Sequence, residues 1–268
     1  MALPEADWQR FCRTAAAAAR TALARYTTTA ERAVETGRGE GGDMTLAIDR
    51  AAEDAIFAEL ELLGVPLTAV SEERGEVAIG GGGPTRVVID PVDGSLNAKR
   101  GLPYCAVSIA IASGPGMLDV EAGLVAELGS EREWWAARGE GAYLDGRPLE
   151  LLTPGRLELI GLEGATPSRV AAAAGALREL EAHRVRVLGS VALSLCLVAA
   201  GQLDAMTSLR PMRSVDAAAA QLLVREAGGA VAFPTAGPDA ALDLEMRSQV
   251  IAARDETTLH RLLAAKLC

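Results

Sequence analysis

The spacing of apolar residues changes twice along this chain, and that change limits the possible folds more than any other feature of the sequence. Apolar residues recur at helical spacing over residues 4–36 and again over residues 48–63. Between residues 68 and 137 the pattern shortens to that of strands separated by turns, and beyond residue 154 strands and helices alternate. We therefore expect an α/β protein whose two early helices pack on a meandering sheet, followed by a separate α/β layer.

Glycine and proline residues set the limits of the expected elements. The glycine-rich stretch at residues 37–42 ends the first helix and is expected to form a mobile loop or a plain connector. Residues 152–155 are the candidate linker between a lobe of residues 1–154 and a lobe of residues 155–268. The expected strands span residues 68–71, 86–90, 106–112, 121–127, 133–137 and 185–187. Helices are expected over residues 168–182 and 190–200 and from Ser214 onwards, with Ser214 as the N-cap.

Composition excludes several classes of protein. With 268 residues, of which 50% are hydrophobic, the chain can bury a large core. A net charge of −10 without any basic segment argues against nucleic acid as a partner. The longest apolar run, residues 191–200, is shorter than the ~20 residues of a membrane span, so we expect no membrane partner. An acidic start and four widely spaced cysteines predict a cytoplasmic location, reduced thiols and no zinc site.

The segment at residues 87–97 carries the side chains best suited to catalysis. An apolar strand ends at Asp90, and Pro91 fixes the turn that follows. Asp93, Gly94 and Ser95 then lead into the start of a helix. Carboxylates are ligands for hard cations such as Mg²⁺, and the free N–H groups of a helix start bind phosphate oxygens. The alternative is an ordinary turn, because Asp-Pro and Asp-Gly are common turn dipeptides.

Two further acidic positions accompany this segment. Glu72 and Glu73 follow the strand at residues 68–71, and Asp216 lies in the first turn of the helix that begins at Ser214. The alternative for the two glutamates is a solvated strand end. For Asp216 the alternative is an acid favoured by the positive end of the helix dipole.

In this order the motifs resemble those of the inositol monophosphatase superfamily of lithium-sensitive, magnesium-dependent phosphatases. Residues 90–97 and 101–110 match the first signature, and residues 215–219 with 226–229 match the second. The acidic metal segment is similar to residues 71–73, and the region before it to the set Asp43, Thr45, Asp49 and Glu53. Further similarity at residues 139–143 and 189–204 extends the resemblance over about residues 40–255.

The resemblance implies the fold of the sugar phosphatases, a layered α/β/α/β/α sandwich, and a site for two or three Mg²⁺ ions, with Mn²⁺ as a possible substitute. The implied metal ligands are Glu72, Asp90, the carbonyl of Val92, Asp93 and Asp216. Glu72, Asp90 and Asp93 come from the lobe of residues 1–154, whereas Asp216 comes from the lobe of residues 155–268.

The resemblance also implies catalytic and substrate-binding roles. Ser95, hydrogen-bonded to Asp49, would orient the attacking water together with the metal-bound Glu72. Amide groups of Gly94 and Ser95, next to Asp93, would bind the phosphate. Arg186, Gly189 and Ser190 match positions near the substrate, with the alternative that Arg186 is solvated.

Departures from the family pattern bear on the substrate. Asn97 and Ala98 followed by residues 99–101 are similar to the archaeal-type enzymes that act on both fructose 1,6-bisphosphate and inositol 1-phosphate. Leu209 stands where inositol-selective members have an acid, and Arg210 and Arg213 follow it. Arginine suits a second phosphate because its planar guanidinium pairs with two oxygens. The alternative is that both arginines are solvated or pair with nearby acids.

We therefore expect hydrolysis of a small sugar or polyol phosphate by metal-activated water. One alternative is a sibling phosphatase for another small phosphate, such as histidinol phosphate. The other is a catalytically silent binding protein on the same scaffold. The resemblance further implies a homodimer.

Overall fold

The structure is a computed structural model that describes residues 5–42, 44–150 and 156–267. Asp43 and the expected linker at residues 152–155 lie outside the described residues, so the division into two lobes stays a prediction. The helices of the described ranges are α1 (Glu5–Leu23), α2 (Thr29–Arg32), α3 (Ala47–Leu62), α4 (Ser95–Arg100), α5 (Pro167–Glu179), α6 (Val191–Ala199), α7 (Ser214–Glu226) and α8 (Glu256–Ala265). The first strands are β1 (Glu35–Arg38), β2 (Met44–Leu46), β3 (Leu67–Ser71), β4 (Gly75–Ile79), β5 (Arg86–Asp93), β6 (Ala106–Ala112) and β7 (Val120–Glu127). The later strands are β8 (Glu133–Ala137), β9 (Gly141–Leu144), β10 (Arg147–Pro148), β11 (Leu159–Glu163), β12 (Arg184–Arg186), β13 (Ala205–Ser208), β14 (Ala230–Ala232) and β15 (Ile251–Ala253).

Five layers stack in the order helix, sheet, helix, sheet, helix. Helices α1 and α3 pack on one face of the larger sheet, whose strand order is β10-β9-β8-β7-β6-β5-β3-β4. In this sheet β3 and β5 are parallel, and the other neighbouring strands are antiparallel. Helices α6 and α7 lie between its other face and the second sheet, β12-β11-β13-β15-β14, and α5 and α8 cover the outer face of that sheet. The expected α/β/α/β/α sandwich is confirmed.

The apolar strands of the larger sheet explain this layering. Val87 and Ile89 of β5 belong to the core under α1 and α3, whereas Val88 belongs to the core that contains α6 and α7. Successive side chains of a strand point to opposite faces, so a strand covered by helices on both faces must be apolar throughout. Every residue of β6 is accordingly buried.

Helix α7 lies between the two sheets and is buried from Ser214 to Val224. Its run of alanines at residues 217–220 allows a close approach to the larger sheet. Gly123 of β7 marks that approach, because a Cβ atom there would lie 2.9 Å from the Cα atom of Ala219. The first turn of this helix, which carries Asp216, is therefore held on a rigid element.

The first helix and the glycine-rich stretch differ from expectation. Helix α1 ends at Leu23, Thr28 caps the separate short helix α2, and residues 35–38 form β1, which pairs with β2. Beyond β1, the Glu40 N–H donates to the carbonyl oxygen of Glu73 at 3.2 Å, and the Gly41 N–H donates to that of Glu72 at 2.8 Å. The expected loop is therefore a hairpin strand followed by a segment that is hydrogen-bonded to the acidic turn.

Among the described helices, none combines the length and the hydropathy that crossing a bilayer requires.

Cys12, Cys105 and Cys196 are buried with free thiols, and Cys268 lies outside the described residues. Burial raises the pKa of the Cys105 thiol to about 11, which keeps that thiol protonated at neutral pH. These three cysteines have the packing role expected from their sequence positions.

Candidate active site

Three acids that are far apart in the sequence meet at one place in the fold. Glu72 follows the end of β3, Asp90 lies in β5, and Asp216 lies in the first turn of α7. One carboxylate oxygen from each lies within 4.8 Å of the others. Asp90 and Asp216 are buried, and Glu72 is half-buried. The fold therefore brings together three of the expected metal ligands.

A bulge in β5 directs Asp93 toward the same face as Asp90. Asp90 pairs with Ser108 of β6 and Asp93 pairs with Ala106, so one more residue lies between the acids on β5 than between their partners on β6. In a regular strand, side chains three residues apart point to opposite faces, and one extra residue reverses the second of them. Pro91 lies in this bulge, where its missing N–H removes no regular ladder bond.

Residues of the second half of the chain hold the Asp93 carboxylate. The hydroxyl of Ser190 and the amide of Ala192 both donate to Asp93 Oδ2, each at 2.6 Å. Ser190 is the N-cap of α6, and its Oγ also accepts from the amide of Leu193 at 3.1 Å. Ser190 therefore holds Asp93 in place by a hydrogen bond, but it is not among the residues that line the cavity described below.

The carboxylates of the cluster and of Asp93 lie close together and are shielded from water, so their negative charges repel one another. Burial raises the pKa of Glu72 to about 8 and that of Asp93 to about 7, and the charge of Asp216 adds to both shifts. The pKa of Asp90 lies well above its usual value because of burial and the charges of Glu72 and Asp93. Burial also raises the pKa of Asp216. A cation between these groups would remove the repulsion, because an opposite charge favours ionised carboxylates.

The donor set fits a hard divalent cation. Glu72, Asp90 and Asp216 offer carboxylate oxygens, Asp93 lies beside them, and the Val92 carbonyl is the acceptor for the Ser95 hydroxyl at 2.9 Å. Mg²⁺ prefers oxygen ligands and is commonly bound by one or two carboxylates. No histidine or cysteine belongs to the three-acid cluster of the described residues, which disfavours a zinc site.

Asp49 and Ser95 lie next to the cluster and near one another, and the hydrogen bond expected between them stays a prediction. Asp49 Oδ2 accepts from the amide of Leu46 at 3.0 Å, whereas its buried Oδ1 has no hydrogen-bond partner among the described residues. Burial raises the pKa of Asp49 to about 7, and the nearby Ser95 hydroxyl lowers it in part. The hydrogen bond of standard geometry runs from Ser95 Oγ to the Val92 carbonyl.

A second group of acids supports the turn that carries Glu72. Glu53 of α3 is fully buried and accepts from the Ser71 hydroxyl and, at 3.1 Å, from the amide of Arg74. The hydroxyl of Thr45 donates to Glu73. These contacts place Thr45 and Glu53, two of the residues that matched the region before the acidic segment, around the acidic turn itself.

The start of α7 differs in detail from the predicted one. Arg213 is the N-cap, and the carboxylate of Asp216 accepts from the Arg213 amide at 3.0 Å. Ser214 is instead the first helical residue, and its hydroxyl donates to the Asp243 carbonyl at 2.5 Å. The carboxylate of Asp216 therefore binds the N–H of the N-cap residue, and its negative charge is favoured at the start of the helix.

A cavity of about 510 Å³ opens beside the acids. The expected substrate residues on its wall are Gly94, Ser95, Gly189, Arg210 and Arg213. Gly94 has φ +91°, and a Cβ atom there would lie 2.7 Å from the carbonyl oxygen of Tyr104, so only glycine fits. Arg186 is not among the lining residues and donates to the Val185 carbonyl at 3.0 Å on the exposed strand β12.

The two expected arginines have different surroundings. Arg210 is exposed at the cavity and lowers the pKa of Asp216 by its charge. The Arg213 guanidinium pairs with Glu72 and donates to the Gly41 carbonyl at 3.1 Å. The alternative of pairing with a nearby acid therefore describes Arg213 in this structure.

Two charged residues of the cavity wall were not predicted from the sequence. Glu163 is buried at the end of β11, and Arg169 is exposed in the first turn of α5. The position of Glu163 at the carboxyl end of a parallel strand was the available signal, because ligands bind at that edge of an α/β sheet.

Comparison with known proteins agrees with this geometry. The sequence matches the family model of the inositol monophosphatase family over residues 6–268. It is 35% identical over 230 residues, 80% of each chain, to a fructose-1,6-bisphosphatase/inositol-1-monophosphatase of Methanothermobacter thermautotrophicus. It is also 35% identical over 206 residues, covering 74% of this chain and 75% of the relative, to an inositol-1-monophosphatase of Mesorhizobium japonicum.

Solved structures show the same fold. The crystal structure of an inositol monophosphatase-fructose 1,6 bisphosphatase superposes with a TM-score of 0.82 at 27% identity, covering 96% of this chain and 99% of the other. The extragenic suppressor protein suhB of Bartonella henselae superposes with a TM-score of 0.81 at 28% identity, covering 97% and 98%. The expected resemblance, including that to archaeal dual enzymes, is confirmed. This chain is a phosphatase and belongs to the inositol monophosphatase family.

Proposed function

We propose that this phosphatase hydrolyses small sugar and polyol phosphates with Mg²⁺, and that fructose 1,6-bisphosphate and inositol 1-phosphate are both substrates. The observation that carries the proposal is the meeting of Glu72, Asp90 and Asp216 within 4.8 Å beside a cavity of about 510 Å³. The names of the archaeal relatives support the pair of substrates. The cavity holds an acidic cluster, which could bind one phosphate through Mg²⁺, and arginines, which could bind a second one. This arrangement suits a ligand with a phosphate at each end.

The metal would be held by Glu72, Asp90, Asp216, Asp93 and the Val92 carbonyl. Bound there, two or three Mg²⁺ ions, or Mn²⁺ in their place, would lower the pKa of a water and offset charge on the phosphate oxygens. The chain's own contribution is to fix these oxygens, since Asp93 is held by Ser190 and the bulge in β5 aligns it with Asp90. Such preorganisation leaves little rearrangement for the reaction itself.

The remaining residues bind the phosphate and guide a proton. The amides of Gly94 and Ser95, at the N-terminus of α4, have no partner within that helix and can donate to phosphate oxygens. Ser95 Oγ, which donates to the Val92 carbonyl, would accept a hydrogen bond from the attacking water, and the nearby Asp49 carboxylate would accept the proton that the water loses. The bond from the water oxygen to phosphorus forms while the ester P–O bond breaks, the leaving alkoxide takes up a proton from solvent water to give the alcohol, and no covalent intermediate with the protein is needed.

Phosphate release from a panel of four substrates tests the proposal. We expect comparable turnover of fructose 1,6-bisphosphate and inositol 1-phosphate in Mg²⁺, and at least about 100-fold less of either in EDTA. Histidinol phosphate and adenosine 3′,5′-bisphosphate are expected to be poor substrates. A preference for histidinol phosphate would identify a sibling phosphatase. Folded protein that binds Mg²⁺ but releases no phosphate from any of the four would support the silent scaffold.

Replacing Arg210 with Ala tests the second phosphate subsite. The Arg210 side chain is exposed in the cavity and forms no ion pair with the part of the chain that the structure describes, so it can pair with a phosphate without first breaking one. We expect KM for fructose 1,6-bisphosphate to rise about tenfold, and that for inositol 1-phosphate to change less than twofold. Arg184→Ala, on the exposed strand β12 and away from the cavity, serves as the control. Equal changes for both substrates would remove this role from Arg210.

The same comparison on Arg213→Ala would also disturb Glu72, because the two side chains are paired.

A homodimer remains part of this proposal. Leu102 and Tyr104, after α4, and Val185 and Val187, around β12, are large apolar side chains left exposed in the single chain. Asn97 joins the two segments, since its Nδ2 donates to the carbonyls of Tyr104 and Leu188, each at 2.7 Å. Exposed apolar side chains that lie near one another are typical of surfaces covered by a partner.

A further inference from the structure

Glu163 has no role in the chemistry proposed above, although its side chain is buried on the cavity wall with 1% exposure. Its carboxylate accepts three hydrogen bonds. The amide of Gly189 donates to Oε2 at 2.9 Å, and Ser194 Oγ and the amide of Leu188 donate to Oε1 at 2.6 and 3.3 Å. Burying a carboxylate costs free energy. A side chain that only filled space at this position would therefore be apolar.

The segment that Glu163 holds is the one that holds Asp93. Gly189 immediately precedes Ser190, whose hydroxyl donates to Asp93 Oδ2 at 2.6 Å. Ser194, one turn into α6, connects the same helix to Glu163. A chain of direct contacts therefore runs from Glu163 through residues 188–190 to Asp93.

The surroundings of this segment leave it little freedom to move. On its other side, Asn97 Nδ2 donates to the Leu188 carbonyl at 2.7 Å. A Cβ atom on Gly189 would lie 2.8 Å from Asn97 Nδ2, and one on Gly94 would lie 3.2 Å from the Gly189 carbonyl oxygen. A shift of residues 188–190 would therefore be passed on to Asp93 and to the phosphate-binding amide of Gly94.

We propose that Glu163 is a positioning residue that sets the place of the Asp93 carboxylate, through Gly189 and Ser190, and thereby the affinity of the site for Mg²⁺. This inference rests on the proposed function in one respect, namely that Asp93 is a metal ligand. Residues that orient metal ligands by hydrogen bonds affect metal affinity by about 10- to 100-fold when they are replaced. Glu163 acts on the metal only through the residues between them.

Glu163→Gln tests the proposal with little change of volume. Gln has one carbonyl oxygen for three donors, so its amide group must face the N–H of Leu188 or of Gly189. Titration calorimetry of the purified protein with MgCl₂ is expected to show a Kd at least about tenfold weaker than that of the wild type. Hydrogen exchange in the metal-free protein is expected to become faster at the amides of residues 188–190.

Asp204→Asn is the matched control. Asp204 accepts from the amides of Glu158 and Leu159 at 2.6 and 2.8 Å, at the opposite end of β11 from Glu163, and it pairs with Arg254. Like Glu163, Asp204 accepts hydrogen bonds from backbone amides, but it lies away from the cavity. We expect this variant to lower the melting temperature and to leave the Kd for Mg²⁺ unchanged. A merely structural role of Glu163 would give the same result in both variants.

Ser194→Ala is the milder second variant, since it removes one of the three donors and keeps the carboxylate. We expect it to weaken Mg²⁺ binding about two- to threefold, which keeps the test decisive if Glu163→Gln fails to fold. A Kd like that of the wild type in both Glu163→Gln and Ser194→Ala would overturn the proposal. Failure of the wild type itself to bind Mg²⁺ would instead overturn the proposed function, and the inference with it.

Discussion

Replacement of Asp93 by Asn is expected to lower kcat about 1000-fold or more in saturating Mg²⁺ and, at the same time, to raise the melting temperature of the metal-free protein. Activity falls because a neutral amide is a poor substitute for a charged ligand beside Glu72, Asp90 and Asp216. Stability rises because the variant no longer buries a carboxylate whose pKa is raised to about 7 by burial and by Asp216. The Asn carbonyl oxygen can still accept from Ser190 and Ala192, so the fold is retained.

Steady-state kinetics and thermal unfolding in EDTA provide the two measurements. Asp204→Asn is the control, because it removes an acid that is paired with Arg254 outside the cavity. That variant is expected to unfold at a lower temperature with kcat unchanged. Full activity of Asp93→Asn would exclude Asp93 from the metal ligands. A lower melting temperature of the same variant without metal would show that repulsion at this position is unimportant.

The metal-free protein is expected to lose stability as the pH rises from about 5 to 8, and Mg²⁺ is expected to restore more stability at pH 8 than at pH 6. Burial raises the pKa of Asp49 and Asp93 to about 7 and that of Glu72 to about 8, whereas acids in an unfolded chain titrate near about 4. Between these values the folded chain holds protons that the unfolded chain has released. Raising the pH therefore favours unfolding, by about 1.4 kcal/mol per pH unit for each such proton.

Thermal unfolding at several pH values, with EDTA and with MgCl₂, measures this effect. A loss of about 1.4 kcal/mol corresponds to a fall of roughly 3–6 °C per pH unit for a chain of this size. We expect the metal to reverse the trend, because it would bind the ionised carboxylates of the folded state. The Asp204→Asn variant should keep the same slope. A metal-free melting temperature that is constant or rises from pH 5 to 8 would contradict the charge arrangement described for the site.

Long apolar patterns made much of the fold predictable. Strands β6 and β8 and helix α3 were expected within one residue of their observed limits, because the two strands are nearly continuous apolar runs and α3 has apolar residues at helical spacing. Strands such as β10 and β14 were missed, since two or three residues cannot display a period. The first helix was extended too far, because the Ala-rich pattern continues beyond Leu23 while the cap at Thr28 starts a new helix.

The candidate site was predictable where motif and chemistry coincide. Asp90, Asp93 and Asp216 were identified from their turn and helix-start contexts, together with the family resemblance, and the fold brings them to one cavity. Pairing of Arg213 with an acid was one of the alternatives, but its partner, Glu72, could not be identified, because the two residues meet only through tertiary contacts between separate halves of the chain. Glu163 was missed because β11, the strand at whose carboxyl end it lies, was not among the expected strands.

Because Asp216 lies on α7, the acidic site is assembled from segments that are made at very different times during translation. Glu72, Asp90 and Asp93 leave the ribosome well before the helix that carries Asp216, and before Ser190, which fastens Asp93. The larger sheet can therefore form before the charge of Asp216 adds to the repulsion among the other acids. Docking of α7 between the two sheets therefore completes the three-acid cluster, and the repulsion among all of its acids arises only at that stage.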